Sequence, residues 1–296
     1  MTFDIHHCTL CPRQCGADRT QRAGVCGGRD GILAARASLH LWEEPVLCGT
    51  RGAGTVFFSG CPLHCRFCQN AVISETPFGK PLSPARLGEI MLDLQGQGAH
   101  CIDLVTAGHF LPWVAEALAL VKDDLAIPVV WNSGGYERPE ALAMLEGLVD
   151  IWLPDFKFFD PETARRYANA PDYPTVAMAA LETMLQMGGA PVVEDGLMRR
   201  GTIVRHLVLP GHRHESIALL RSLADRFGTD AFLLSLMAQY TPMHPDPGCP
   251  ELERRVTKME YRSVADTAAE LGFSGFTQDK SSADSSYTPD FSLQGL

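Results

Sequence analysis

The chain has 296 residues, 46% of them hydrophobic and 20% charged, with a formal net charge of −10, which suits one large α/β domain carrying at most a small appendage. That acidity argues against generic nucleic-acid or anionic-membrane binding, where an excess of Lys and Arg is required. Its apolar runs, such as residues 102–105 and 231–236, are strand length and far short of a bilayer span.

In chain order, residues 1–8 lack the basic and apolar regions of a secretory signal, so a cytoplasmic location is expected. Ten cysteines in a reducing compartment ask for a role other than disulfides. Four of them, Cys8, Cys11, Cys15 and Cys26, fall within residues 1–50, a stretch rich in Gly and Arg with little apolar periodicity. This segment reads as a loop-rich appendage held by metal. Its C-x2-C-x3-C-x10-C spacing suffices for a closed zinc site or a second, all-cysteine iron–sulfur cluster. A closed site implies structure or electron relay, not substrate chemistry.

From residue 55 the rhythm changes. Residues 55–58 read as a buried strand ending at Ser59-Gly60, and Ser83-Pro84 opens a helix with Leu87, Ile90, Met91 and Leu94 at helical spacing. Strands follow at 102–106, 127–131, 151–153, 202–209 and 231–237. Helices alternate with them at 111–121, 139–148, 161–167, 176–187 and 216–227. Such alternation predicts right-handed βαβ crossovers and a parallel sheet. At ~30 residues per unit the span holds about six, short of the roughly 250 residues that eight require. The expected fold is therefore α/β, a partial (β/α)6 barrel over residues 51–275, with a flat doubly wound sheet as the alternative. Residues 276–296 form a C-terminal tail, read either as disordered or as a strap using Tyr287 and Phe291.

Directly after the first of these strands, Phe57-Phe-Ser-Gly-Cys-Pro-Leu-His-Cys-Arg-Phe-Cys68 sets three thiols at C-x3-C-x2-C. Cys61, Cys65 and Cys68 can hold three irons of a [4Fe–4S] cubane and leave the fourth open, as a catalytic site requires. The alternative is a structural zinc with a fourth ligand from His64 or elsewhere.

At these residues the chain resembles the radical S-adenosylmethionine superfamily, whose signature is C-x3-C-x-aromatic-C; Phe67 supplies the aromatic. The blocks His40-Leu-Trp-Glu-Glu-Pro45, Gly52–Asn70, Leu104-Val-Thr106, Leu153-Pro-Asp-Phe-Lys157 and Tyr287-Thr-Pro-Asp-Phe291 resemble homologues of pyruvate formate-lyase activating enzyme. The resemblance implies a radical-SAM barrel with a [4Fe–4S] cluster and S-adenosyl-L-methionine as cofactors. It further implies an activating-enzyme-like oxidoreductase that forms a 5′-deoxyadenosyl radical and takes hydrogen from a substrate. A flavodoxin or ferredoxin would supply electrons. The substrate would be a glycine of a glycyl-radical enzyme, a small molecule, or another macromolecule; a non-catalytic electron carrier fits poorly, because carriers close their clusters.

The same resemblance assigns cofactor contacts. Where the family carries Gly-Gly-Glu, this chain has Thr106-Ala-Gly-His109, so the Thr106 hydroxyl, a backbone carbonyl or His109 stands in for the carboxylate. Asn132 and Ser133 resemble a polar turn facing the cofactor. Asp155 and Lys157, two apart, resemble an Asp-Leu-Lys motif in which Lys157 meets the cofactor carboxylate and Asp155 a ribose hydroxyl or a cation. His212, with His214 near it, is a candidate ribose or peptide contact.

Overall fold

A computed structural model describes residues 3–243, 246–278 and 290–296. Its strands are β1 (Ile32–His40), β2 (Ala53–Phe58), β3 (Lys80–Leu82), β4 (Ile102–Val105), β5 (Val129–Ser133), β6 (Ile151–Pro154), β7 (Val192–Glu194), β8 (Leu197–Leu207), β9 (Leu233–Met237) and β10 (Gly275–Thr277). They form one sheet in the order β10-β9-β8-β6-β5-β4-β2-β1-β3, with β7 hairpinned onto β8. Every neighbouring pair from β2 through β10 along that path is parallel. The sheet curls without closing, so the architecture is the expected partial barrel.

Local chemistry explains the elements that the sequence predicts well. Ser83 caps the helix Pro84–Gly96 by accepting from Arg86 N at 3.1 Å, and Leu87, Ile90, Met91 and Leu94 are all buried. Two departures concern strands. β1 lies inside the segment read as loop-rich, yet it pairs antiparallel with both β2 and β3. Its small residues Ala34, Ala35 and Ala37 are buried, and with so little side chain they present no apolar alternation to read. β8 starts five residues earlier than expected, because Asp195 and Gly196 both take positive φ, at 52° and 78°. That is the two-residue loop a tight hairpin needs.

The described end of the tail is docked. Ala37 N donates to Gln294 O at 2.8 Å and Leu293 N to Ala35 O at 3.1 Å, along the part of β1 that β3 leaves uncovered. Phe291 meets Phe57 edge-on at 5.5 Å, as a strap would. Tyr287 and Ser281–Ser286 lie outside the described residues.

The N-terminal end of the barrel is plugged. A one-turn helix, Pro45–Cys48, buries Leu47 in one cluster with Ala53, Val130 and Ile151, near the starts of three strands, and Ile203 in the middle of β8. Above this apolar layer the inward positions turn polar, and the site begins.

Candidate functional site

A cavity of about 640 Å³ opens at the carboxyl ends of the strands, a size that suits a cofactor with a small partner. Cys61, Cys65 and Cys68 form one wall; Thr106, Asn132, Ser133, Asp155 and Lys157 reach it from later strand ends. Ligands in parallel α/β folds collect at this end of the sheet.

β2 delivers the cysteine loop as a fully buried strand that ends at Phe58, two residues before Gly60. Gly60 has φ of 87°, and a Cβ there would overlap the carbonyl oxygen of Cys26. Only glycine lets the loop pass so close to the N-terminal module. Burial, followed by the charge of Cys68, pushes the Cys61 thiol up to about 11, and burial drives Cys65 higher still. Cys61 Sγ accepts from Leu63 N and Cys68 Sγ from the Ser74 hydroxyl, both at 3.4 Å. Three thiols on one cavity wall, Cys65 buried and Cys61 and Cys68 half-buried, fit an iron–sulfur cluster, since iron would displace their protons and supply positive charge. His64, the alternative zinc ligand, bonds instead to Val25 O at 2.7 Å through Nε2. Among the described residues, no three or more His, Cys, Asp or Glu side chains gather tightly enough to hold a single metal ion.

The N-terminal cysteines lie within electrostatic reach of one another, short of the spacing that a single ion needs. Cys8 N bonds Ala17 O and Gly16 N bonds Cys8 O, each at 3.0 Å, closing a turn. A Cβ on Gly24 would stand 3.4 Å from Cys15 Sγ and 3.5 Å from Cys26 Sγ, so Gly24 leaves room beside both sulfurs. Burial and then Cys26 push Cys11 up to about 12. The module grips the barrel through Arg13, which donates to Pro62 O at 2.8 Å and Ala168 O at 2.8 Å, and Arg19, which donates to His109 O at 2.6 Å.

In the same cavity Lys157 Nζ meets Asp155 at 2.5 Å. Burial opposes both charges, but Arg205 and then Lys157 hold Asp155 below the ordinary carboxylate range, and Asp155 holds Lys157 above the ordinary ammonium value. Arg205 is the hub, donating to Asp155 at 2.8 Å, Glu43 at 3.2 Å and Asn132 Oδ1 at 2.5 Å. Asn132 in turn donates to Asp103 at 3.2 Å. Sequence reading missed Arg205, although a lone Arg within the apolar run Ile203–Leu209 is the signal of an inward charge. Glu43 and Glu44 were visible as a block but carried no spacing that announces a role.

Thr106 lines the cavity with φ of 61°, a conformation that a β-branched residue adopts only under constraint. The two histidines are placed elsewhere. The turn Gly108–Phe110 swings His109 under β2, where Nε2 bonds Ser59 O at 2.8 Å and burial depresses its pKa to about 4. It is an uncharged strut behind the cysteine loop and does not line the main cavity. His212 bonds the Tyr167 hydroxyl at 2.8 Å and Glu215 at 3.1 Å, outside the cavity lining. Its position before the helix Arg213–Phe227 turns it toward the helical layer.

Among the described residues no helix is long and apolar enough to cross a membrane. An uncharacterised protein of Methanocaldococcus jannaschii, MJ0674, is 28% identical over 270 residues, covering 88% of this chain and 74% of its own length. SuiB of Streptococcus suis, in its structure bound to S-adenosylmethionine, matches with a TM-score of 0.52 at 11% identity, a likeness of fold. That match covers 74% of this chain and 48% of SuiB, so this chain spans about half of SuiB's length. The model of the Radical SAM superfamily matches residues 55–224, more than half of the chain, from β2 through the helix after β8. With three thiols at the end of its first parallel strand, and a polar cavity beside them, the chain belongs to the radical SAM superfamily.

Proposed function

We propose that Cys61, Cys65 and Cys68 carry the family's [4Fe–4S] cluster, that S-adenosylmethionine occupies the cavity beside them, and that the enzyme takes hydrogen from a substrate held deeper in the barrel. The supporting observation is that the three thiols and the Asp155–Lys157 pair face one cavity. When bound and reduced by the electron donor, the cluster would pass one electron to S-adenosylmethionine and supply hydrogen-abstracting radical chemistry.

The chain's own residues do the rest. Lys157, kept cationic by Asp155, binds the cofactor carboxylate; Asp155, fixed by Arg205, accepts from a ribose hydroxyl. Asn132 is held by Arg205 and Asp103 and fixes the shape of the cofactor wall. Thr106, constrained at the end of β4, presents its hydroxyl where the family's carboxylate is absent. Phe57, Phe67, Val105 and Met237 line the cavity and keep water from a reactive carbon centre. The four N-terminal thiols bind zinc or a second cluster and brace the cysteine loop. A flavodoxin or ferredoxin is the proposed electron donor.

The finer, activase-like reading takes a glycine of a partner enzyme as substrate, and the Asp155–Lys157 motif supports it. The buried carboxylates below the cofactor wall favour a second reading, a radical enzyme acting on a cationic molecule. Anaerobic reconstitution, reduction and addition of S-adenosylmethionine test the shared core. We expect 5′-deoxyadenosine from the native protein and none from the Cys61/Cys65/Cys68 triple Ala variant. A native protein that holds a three-cysteine cluster yet forms none refutes the reading. Iron and zinc analysis of the triple variant reports on the N-terminal site alone.

A further inference from the structure

The cavity has two ends of different chemistry. The thiols stand beyond the carboxyl end of β2, whereas Glu43 and Glu44 immediately precede the one-turn helix that plugs the other end. β2 separates the ends by roughly 17 Å, five rises of ~3.3 Å. That length leaves room for a second molecule beneath a cofactor at the thiol end.

Charge at the lower end does not balance. Glu43, Glu44, Asp103 and Asp155 surround the barrel's middle layer, and the cations facing them are Arg205 and Lys157. Lys157 is committed to Asp155 at 2.5 Å. Arg205 divides its guanidinium between Asp155 and Glu43 and also donates to Asn132. Glu44 is 8% exposed and lines the cavity, and its Oε2 has no hydrogen-bond partner among the described residues. Ser235, opposite Arg205 on β9, faces the same space. Burial raises the carboxyl groups of Glu43 and Glu44, and the shared Arg205 offsets that only in part. A carboxylate on a cavity wall with one oxygen buried and unpartnered calls for a donor bearing positive charge.

We propose that the substrate carries a primary amine or guanidine, and that Glu44, with Glu43 and Ser235 beside it, binds that cationic group on the cavity floor; this rests on the radical SAM reading above. A glycine backbone, which has no charge, would leave Glu44 Oε2 without a partner. The floor thus sets substrate class, and the upper wall serves the cofactor.

The test uses the reconstituted holoprotein with saturating S-adenosylmethionine and three probes: n-butylamine, agmatine and N-acetyl-lysine amide, with n-butanol as the uncharged control. Titration calorimetry should show binding of at least one amine and none of the alcohol. Tighter binding of the acetylated lysine identifies a peptide side chain as the source of the amine; tighter binding of the free amines identifies a small molecule. Glu44→Gln should weaken the amine about tenfold or more, and Glu44→Asp should recover part of it. Equal binding of amine and alcohol, or an unchanged amine affinity in folded Glu44→Gln, overturns the inference. So does displacement of the amine by S-adenosylmethionine, which would assign Glu44 to the cofactor. The native comparison of amine with alcohol needs no variant. A protein that forms 5′-deoxyadenosine but ignores amines sinks only this inference; one that forms no 5′-deoxyadenosine sinks the reading beneath it.

Discussion

Replacing Arg205 by Met should destabilise the protein strongly, and the deficit should depend on pH. Arg205 contacts Asp155 at 2.8 Å and Glu43 at 3.2 Å, with 14% of its side chain exposed. Without it Asp155 keeps Lys157, but Glu43 loses its cation while Glu44 and Asp103 remain close by. Stranding a buried charge by removing its partner costs about 3–5 kcal/mol, which for a chain of this size lowers Tm by on the order of 10 °C. The direction with pH follows from the carboxyl groups. Glu43, Glu44 and Asp103 already sit above their ordinary values because of burial, and Arg205 is what restrains them. Removing it raises their folded values further. An acid raised in the folded state binds more protons there than in the unfolded chain, so stability falls as pH rises through the folded value. The window opens at the ordinary glutamate value of 4.5 and extends upward. Melts of Arg205→Met against the native protein, followed by circular dichroism at acidic and mildly alkaline pH, should therefore diverge most at the alkaline end. A deficit that is flat with pH, or larger in acid, refutes the argument, as does a variant that melts with the native protein.

Gly60→Ala imposes a strained positive φ, about 1–2 kcal/mol, and an overlap with Cys26 O; iron per chain after reconstitution and desalting should fall. His109 titrates near 4 in the fold against 6.5 ordinarily, so its buried neutral ring stabilises above that window and loses roughly 3 kcal/mol as pH falls through it. His109→Gln should flatten the acid limb of stability measured by urea titration. Thr257 and Glu260 form a capping box at the start of the helix Lys258–Leu271, and Thr257→Ala should cost ~1 kcal/mol in the same titration. Deleting residues 290–296 should speed amide exchange at Ala37, whose N–H bonds Gln294 O.

Much of the barrel was legible because its signals are local. Ser83-Pro84 and the spacing of Leu87, Ile90, Met91 and Leu94 specify a helix whatever surrounds it. The alternation of such helices with short apolar runs leaves a parallel sheet as the consistent topology. The cysteines were legible because a strand end followed by three closely spaced thiols has few other uses. What escaped depends on tertiary approach. β1 is built of alanines that only pairing with β2 and β3 makes a strand, and Glu43 and Glu44 gain meaning only once residues 45–48 fold beneath the barrel. His109 illustrates the opposite failure: a titratable residue at a promising strand end, turned away by a single turn of 3-10 helix.

The docking of residues 290–296 on β1 has a consequence for synthesis. Arg36 and Asp290, which meet there, are 254 positions apart. A ribosome emits β1 with its outer edge offering free N–H and C=O groups from Ala35 to Ala37, and the segment that covers them follows more than 250 positions later. While those intervening residues are being made the nascent chain therefore exposes an apolar strand edge, the template on which chains pair with one another. Expression at low temperature, or with a holdase bound to the emerging chain, should raise the yield of soluble protein more than any change to the barrel core.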